Sequence, residues 1–430
     1  MKKALSAVTV LAIFVSSCIR TYIPIPPPPH TGSTTPDSAL TITGLSATTG
    51  AGGSNITIYG TGFSTTLADD QVTINGKTAT VVSAAADSLV ITIPVKAGTG
   101  IVGVTVGSTT ATGPALTYKA AWVVTTFAGS TKGTADGSGT GAQFFQPMGI
   151  CSDAAGNLYV TDAGNNELRK ITTAGVVSTL AANAAGWGIC IGKQGTLYFC
   201  DPWDNCIRQY TTAGGVTTIT GGAQGYYGGP VSQAQFNFPA GICTDSTGVL
   251  YVSDAGNSII RDIYAGAAGN IAGNPCNSGY TDGIGTQAMF SDPYGLCTDG
   301  QGTLYIADTY SQRICKLVAQ YSQVTTIAGS HLREGTRDGA GNVASFFQPG
   351  GVCVDINGNL YVADTQNHLI RMITPDGTVS TIAGTGNPGD ADGIGTAASF
   401  NQPFGICINS QGVLYVADSY NNKIRQLVAQ

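Results

Sequence analysis

The chain has 430 residues, a formal charge of −6 and only 10% charged residues, with 60 glycines among many Ser, Thr, Val and Ile. That length exceeds one ordinary core, and the composition suits many short strands joined by tight turns, which excludes helical bundles. No Lys/Arg run gives the basic footprint that nucleic acid requires, so nucleic acid is excluded as a partner.

In chain order, residues 1–18, "MKKALSAVTVLAIFVSSC", join two lysines to an apolar run too short to span a bilayer. This reads as an export signal. Its ending "VSSC" resembles the bacterial lipobox, which implies lipidation of Cys18 and membrane attachment through that lipid alone. Residues 19–38, "IRTYIPIPPPPHTGSTTPDS", are proline-rich and then Ser/Thr-rich, and read as a semi-rigid stalk. Anchor, stalk and folded domains together predict a lipoprotein of the cell envelope.

Residues 39–118 alternate strand patterns with glycine turns, predicting six or seven strands in a small β-sandwich. "ITIYGTGF", "VTING", "ITIPV" and the closing "LTY" resemble the IPT/TIG family of immunoglobulin-like domains, which implies a spacer that orients its neighbours.

From residue 121 to 430 one pattern recurs six times: a Pro-x-Gly entry, a strand such as "LYVAD", a polar turn and a strand carrying Ile-Arg. The strand-ending Asp162, Asp201, Asp254, Asp308, Asp364 and Asp418 are separated by 39, 53, 54, 56 and 54 residues. Four strand patterns at that period predict a β-propeller, and the motifs resemble NHL repeats. The sixth unit stops at Gln430 without its last strand, and "WVVTTFAG" (122–129) has the missing pattern. The expected fold is therefore all-β: an immunoglobulin-like sandwich, then a six-bladed propeller closed by an N-terminal strand.

The recurring aspartates are expected to bind turn amides, since six copies of one acid do not make one active site. Arg169, Arg208, Arg261, Arg371 and Arg425 are expected to hold strands or carboxylates. The Asp-Gly pairs at Asp136, Asp282, Asp338 and Asp392 read as tight turns with a later Phe packed beneath. One carboxylate per loop supplies few of the about six to eight oxygens that calcium takes, so no metal or cofactor is predicted. The loop before the second unit has collapsed to "ANAAG" (182–186), which leaves a notch in the rim. Cys151, Cys190, Cys243, Cys297, Cys353 and Cys407 share one strand position and read as small buried hydrophobes, beyond the disulfide reach of about 7 Å. Cys200 and Cys206 flank "DPWDN" on opposing strands, where a disulfide is expected; Cys276 with Cys315 is a second pairing.

Departures from the repeat point to a ligand site. The residue between Pro and Gly is Met148, Trp187, Ala240, Tyr294, Gly350 and Phe404, with Gly186 in place of the second proline. Two residues past each strand-ending Asp stand Gly164, Trp203, Gly256, Tyr310, Gln366 and Tyr420. Both positions are aromatic only in units two, four and six. Trp187, Trp203, Tyr294, Tyr310, Phe404 and Tyr420 are thus expected to form a platform around the channel mouth, suited to stacking on sugar rings or gripping a peptide.

Three readings stay open for the monomer: a binding lipoprotein for a glycan or envelope protein, a non-catalytic scaffold, or a metal-dependent lyase or lactonase of the propeller type. Propeller lyases that resemble NHL proteins hold zinc with several histidines. Here only His30, His331 and His368 occur, and Glu is confined to Glu167 and Glu334, so no catalytic residue is assigned.

Overall fold

The computed structural model describes residues 39–430, apart from Ala185, Cys276 and Leu332. The signal, Cys18 and the stalk therefore lie outside the described residues, as does Cys276.

Residues 41–119 form a sandwich of eight strands, one more than the sequence pattern predicts. The extra strand, Thr49–Ala51, runs parallel to the end of Thr109–Lys119. Alternation along each strand sends Ile56, Ile58, Val72, Ile74, Leu89, Ile91, Val102 and Val104 into a closed core.

The propeller follows in six sheets, each of four antiparallel strands counted outward from the axis. Central strands such as Leu360–Asp364 and Leu414–Asp418 are buried at every position, because neighbouring blades cover both faces. That is why "LYVAD" reads as a continuous apolar run and not as an alternation. The outer strand of blade six is Trp122–Ala128, paired antiparallel with Lys423–Ala429. Gln430 N–H donates to Ala121 O at 2.7 Å, and Tyr118 Oη donates to Gln430 O, so the sandwich's last strand is tied to the same seam.

The Asp-Gly segments do more than turn. Two-residue strands such as Gly137–Ser138 and Gly393–Ile394 add a fifth strand to the outer edge of every blade but the second. Each entry loop thus clasps the outer edge of its blade before crossing to the axis, with Phe144, Phe236, Phe290, Phe346 or Phe400 fully buried beneath it.

The strand-ending aspartates close this architecture. Asp162 accepts the Phe145 N–H at 2.7 Å on one oxygen; Asn165 Nδ2 (2.8 Å) and Arg169 (2.9 Å) donate to the other. The carboxylate thus fastens the entry loop to its blade as well as bonding its own turn. Burial raises the carboxyls of Asp162, Asp254, Asp308 and Asp364 to about 6 against the donors around them. In blade four, Cys315 occupies the register position of the recurring arginine, and Arg313, two residues earlier on the same face, takes over the contacts to Asp308 and Asp282.

The expected disulfide between Cys200 and Cys206 is not formed; both thiols are free and buried. Register explains why: Cys200 lies opposite Ile207 and Cys206 opposite Asp201, so the two side chains leave opposite faces of the sheet. Cys315 is likewise a free, buried thiol.

Candidate functional site

The Pro-x-Gly entries build the site from the backbone outward. The six glycines form a ring around the axis, each seated against the next blade's entry carbonyl. A Cβ on Gly149 would lie 2.0 Å from Trp187 O, and one on Gly405 2.2 Å from Met148 O, so only glycine lets the blades close up. Beneath, the channel narrows to a void of about 60 Å³ lined by these glycines and by Ile150, Ile189, Ile242, Leu296, Val352 and Ile406.

The residue before each ring glycine sits at the mouth. Trp187 meets Tyr294 at 5.5 Å between ring centroids and Phe404 at 5.4 Å, while Tyr294 and Phe404 are 6.0 Å apart. Edge-to-face contact at these distances is favourable. Three rings from alternate blades thus meet across the axis and form a floor, with smaller residues between them. Gly350 illustrates the need for small neighbours: its Cβ would come within 2.8 Å of the Phe404 ring.

Trp203, Tyr310 and Tyr420 stand around this floor with 68%, 49% and 53% of their surface exposed. All six predicted aromatics line one cavity of about 490 Å³, within the range of small-molecule sites. A seventh ring packs against them without lining the cavity. Phe238 packs 4.9 Å from Trp187 and 5.6 Å from Trp203, joining floor to wall. It precedes the proline of blade three, where sequence comparison of the position after proline finds only Ala240; its left-handed φ of 51° directs it to the mouth. That backbone is held by Asn205 Oδ1, which accepts the Phe238 N–H at 2.9 Å. Equivalent links from one blade's turn to the next blade's entry run from Asn422 to Gln146 and from His368 Nδ1 to Gln402, both at 3.0 Å.

The cavity's polar groups are amides and hydroxyls: Gln146, Gln348, Gln366 and Gln402 with Thr309, Thr365 and Ser419. The hydroxyls donate to entry-loop carbonyls, as Ser419 does to Pro147 O at 2.6 Å, leaving lone pairs for a ligand. Among the described residues, no Asp, Glu, Lys, Arg or His lines the cavity. Among the described residues no group of three or more His, Cys, Asp or Glu is placed to hold a metal ion.

Blade two has the notch that its short loop implies, a second cavity of about 350 Å³ beside Trp203, Asp204, Arg208 and Thr218. Trp203 borders both cavities.

Comparison with known proteins agrees with this architecture. The IPT/TIG domain model matches residues 29–119, and the NHL repeat model matches 236–261, 346–371 and 400–427. The chain therefore carries an immunoglobulin-like IPT/TIG domain followed by a six-bladed propeller of NHL repeats. It is 31% identical over 276 residues to Protein SUPPRESSOR OF QUENCHING 1, chloroplastic, of Arabidopsis thaliana, a match covering 56% of this chain and 26% of that protein. It is 35% identical over 154 residues to NHL repeat-containing protein 2 of Bos taurus, covering 33% and 21%. The chain thus spans about a quarter of the length of the curated relatives it matches. Among solved structures, an auxiliary nutrient binding protein from Bacteroides thetaiotaomicron superposes with a TM-score of 0.61 at 19% identity, covering 93% of this chain and 100% of that one. Another from Bacteroides ovatus gives 0.59 at 18%, covering 91% and 97%. These structures share the fold.

Proposed function

We propose that this protein binds a saccharide in the aromatic cavity at the propeller mouth, and that Cys18 anchors it to the bacterial cell envelope through lipid. The carrying observation is the convergence of Trp187, Trp203, Tyr294, Tyr310, Phe404 and Tyr420 on one uncharged cavity of about 490 Å³. Sugar rings present apolar faces to aromatic side chains and hydroxyl edges to amides and hydroxyls, and this lining offers both. A peptide would bring charged groups and unpaired backbone amides that this lining answers less well. The floor rings pack mainly on one another, so recognition falls chiefly to the exposed Trp203, Tyr310 and Tyr420. The "auxiliary nutrient binding protein" description of two structures with this architecture supports the same reading, as does the sequence of the signal and stalk. A glycan array probed with the purified full-length protein tests it. Saturable binding to a defined set of neutral oligosaccharides is expected; no binding by the folded protein would leave a scaffold role in its place.

A further inference from the structure

Four blades contain the same half-exposed carboxylate, held by the blade's buried arginine. In blade one, Asp136 Oδ1 accepts from Arg169 at 2.8 Å and from Thr179 Oγ1 at 3.0 Å, while its Oδ2 accepts the Thr179 N–H at 3.2 Å. Asp282 repeats this with Arg313 and Thr326, and Asp338 with Arg371 and Thr381. Asp392 receives Arg425 at 2.7 Å and Thr126 Oγ1 at 3.0 Å. Blade three lacks the aspartate, but loop carbonyls of Gln235 and Tyr227 cover Arg261.

Blade two keeps the donors and lacks the acceptor. Arg208 lies opposite Thr218, as Arg169 lies opposite Thr179 and Arg371 opposite Thr381, each pair beside the same register shift. The loop that would bring the aspartate is the collapsed one, and both residues line the open notch beside Trp203. The Arg208 side chain is 18% exposed, against 0% for Arg169 and Arg371.

Blade two also departs at its strand-ending carboxylate. Asp201 is 1% exposed, and its Oδ2 meets Arg208 Nη2 at 2.8 Å as an ion pair but receives no asparagine. In blades one, three, five and six an asparagine three residues on donates to this oxygen. Blade two has Asp204 there, a carboxylate with no proton to give. Asp204 leans on Arg208 instead, with its side chain 63% exposed.

We infer that the notch is an acidic-sugar subsite of the saccharide cavity: a ligand carboxylate takes the position held by Asp136 in blade one, on Arg208 and Thr218, with its ring against Trp203. This rests on the saccharide reading of the main cavity, which Trp203 borders. Arginine matches a planar carboxylate with two donors, and an Arg208 side chain only 18% exposed keeps the pair from full solvation. The charge is no obstacle, because blade one already gathers Asp136, Asp162 and Glu167 about a single arginine. A ligand carboxylate, with Asp201 and Asp204, brings blade two to the same number.

Calorimetric titration of the full-length protein with a galacturonate oligomer and with its methyl ester, the same backbone without charge, tests this. The acid is expected to bind at least five-fold more tightly than the ester. Arg208→Gln should bring that ratio near one. Asp204→Asn, which removes the competing carboxylate and restores the asparagine of other blades, should raise it. Equal binding of both forms by the parent, or an unchanged ratio in a folded Asp204→Asn variant, would overturn the subsite alone. Binding of neither form would overturn the subsite, and the glycan array decides the saccharide reading of the main cavity separately. Binding of polyglutamate at the galacturonate's affinity would overturn the assignment to sugar.

Discussion

Replacing Arg371 by Ala should be among the most damaging single changes in the propeller. Its side chain is fully buried. It donates to Asp364 at 2.7 Å, to Asp338 at 2.7 Å, and to the carbonyls of Ser345 at 2.9 Å and Arg337 at 3.0 Å, with its guanidinium 5.1 Å over the Phe346 ring. Removal leaves Asp364 buried with only the Phe347 N–H and Asn367 Nδ2 as donors. A buried pair broken on one side costs about 3–5 kcal/mol, so about 4 kcal/mol at pH 8 is expected. The cost should depend on pH. Burial raises Asp364 to about 6 even with Arg371 present, and losing the arginine raises it further. A carboxyl raised on folding contributes stability that is present below its unfolded pKa near 3.8 and is lost as pH rises through the folded value. The variant gains this more than the parent does, so the penalty should shrink at pH 5. Guanidinium unfolding of parent, Arg371→Ala and Arg371→Met/Asp364→Asn at both pH values measures it, with the double variant recovering more than half. A penalty below about 1 kcal/mol, unchanged between pH 8 and 5, would refute the assignment of loop clasping to this buried pair.

Three further outcomes follow from the geometry. Gly405→Ala places a Cβ 2.2 Å from Met148 O at the seam between blades six and one, and should cost about 1–3 kcal/mol or more in thermal unfolding, whereas Gly141→Ala, with open space around it and no left-handed φ, should cost less. His368 accepts the Gln402 N–H through Nδ1, and burial lowers its pKa, so its contribution is present above pH 6.5 and is lost as pH falls through the folded value. Relative to the parent, His368→Asn should therefore gain in Tm between pH 7.5 and 5; a difference that does not move with pH would remove His368 from the link. All nine described cysteines are free, and burial pushes every one of their thiols above 9, even where Arg208 beside Cys206 and Arg313 beside Cys315 pull the other way. Alkylation at pH 8 should therefore be slow in the folded protein and complete in guanidinium, and a Cys200–Cys206 linked peptide in a non-reducing digest would contradict the register.

Much of this was legible because a repeat averages out local noise. Six copies of the strand-ending aspartate exposed the blade, and a sixth unit lacking its outer strand pointed to Trp122–Ala128 as the latch. The aromatic pairs of blades two, four and six stood out as departures from that pattern. What stayed hidden was shift within a face. Phe238 reaches Trp187 and Trp203 from the position before proline through a left-handed backbone, and Arg313 replaces its equivalent from two residues away on the same side of a strand. The Cys200–Cys206 expectation failed on a one-residue register, which flips a side chain across the sheet. Packing on the axis was hidden too: that Trp187, Tyr294 and Phe404 touch, leaving the outer rings to recognise a ligand, depends on how closely the glycine ring brings the blades together.

The most direct test of the central claim is calorimetric titration of a neutral oligosaccharide chosen from the array into the parent, Trp203→Ala and Tyr310→Ala proteins, each with its Tm checked. Both side chains are about half exposed or more, so folding should survive while affinity falls at least ten-fold in each variant. Undiminished affinity in two folded variants would contradict a binding platform at the propeller mouth.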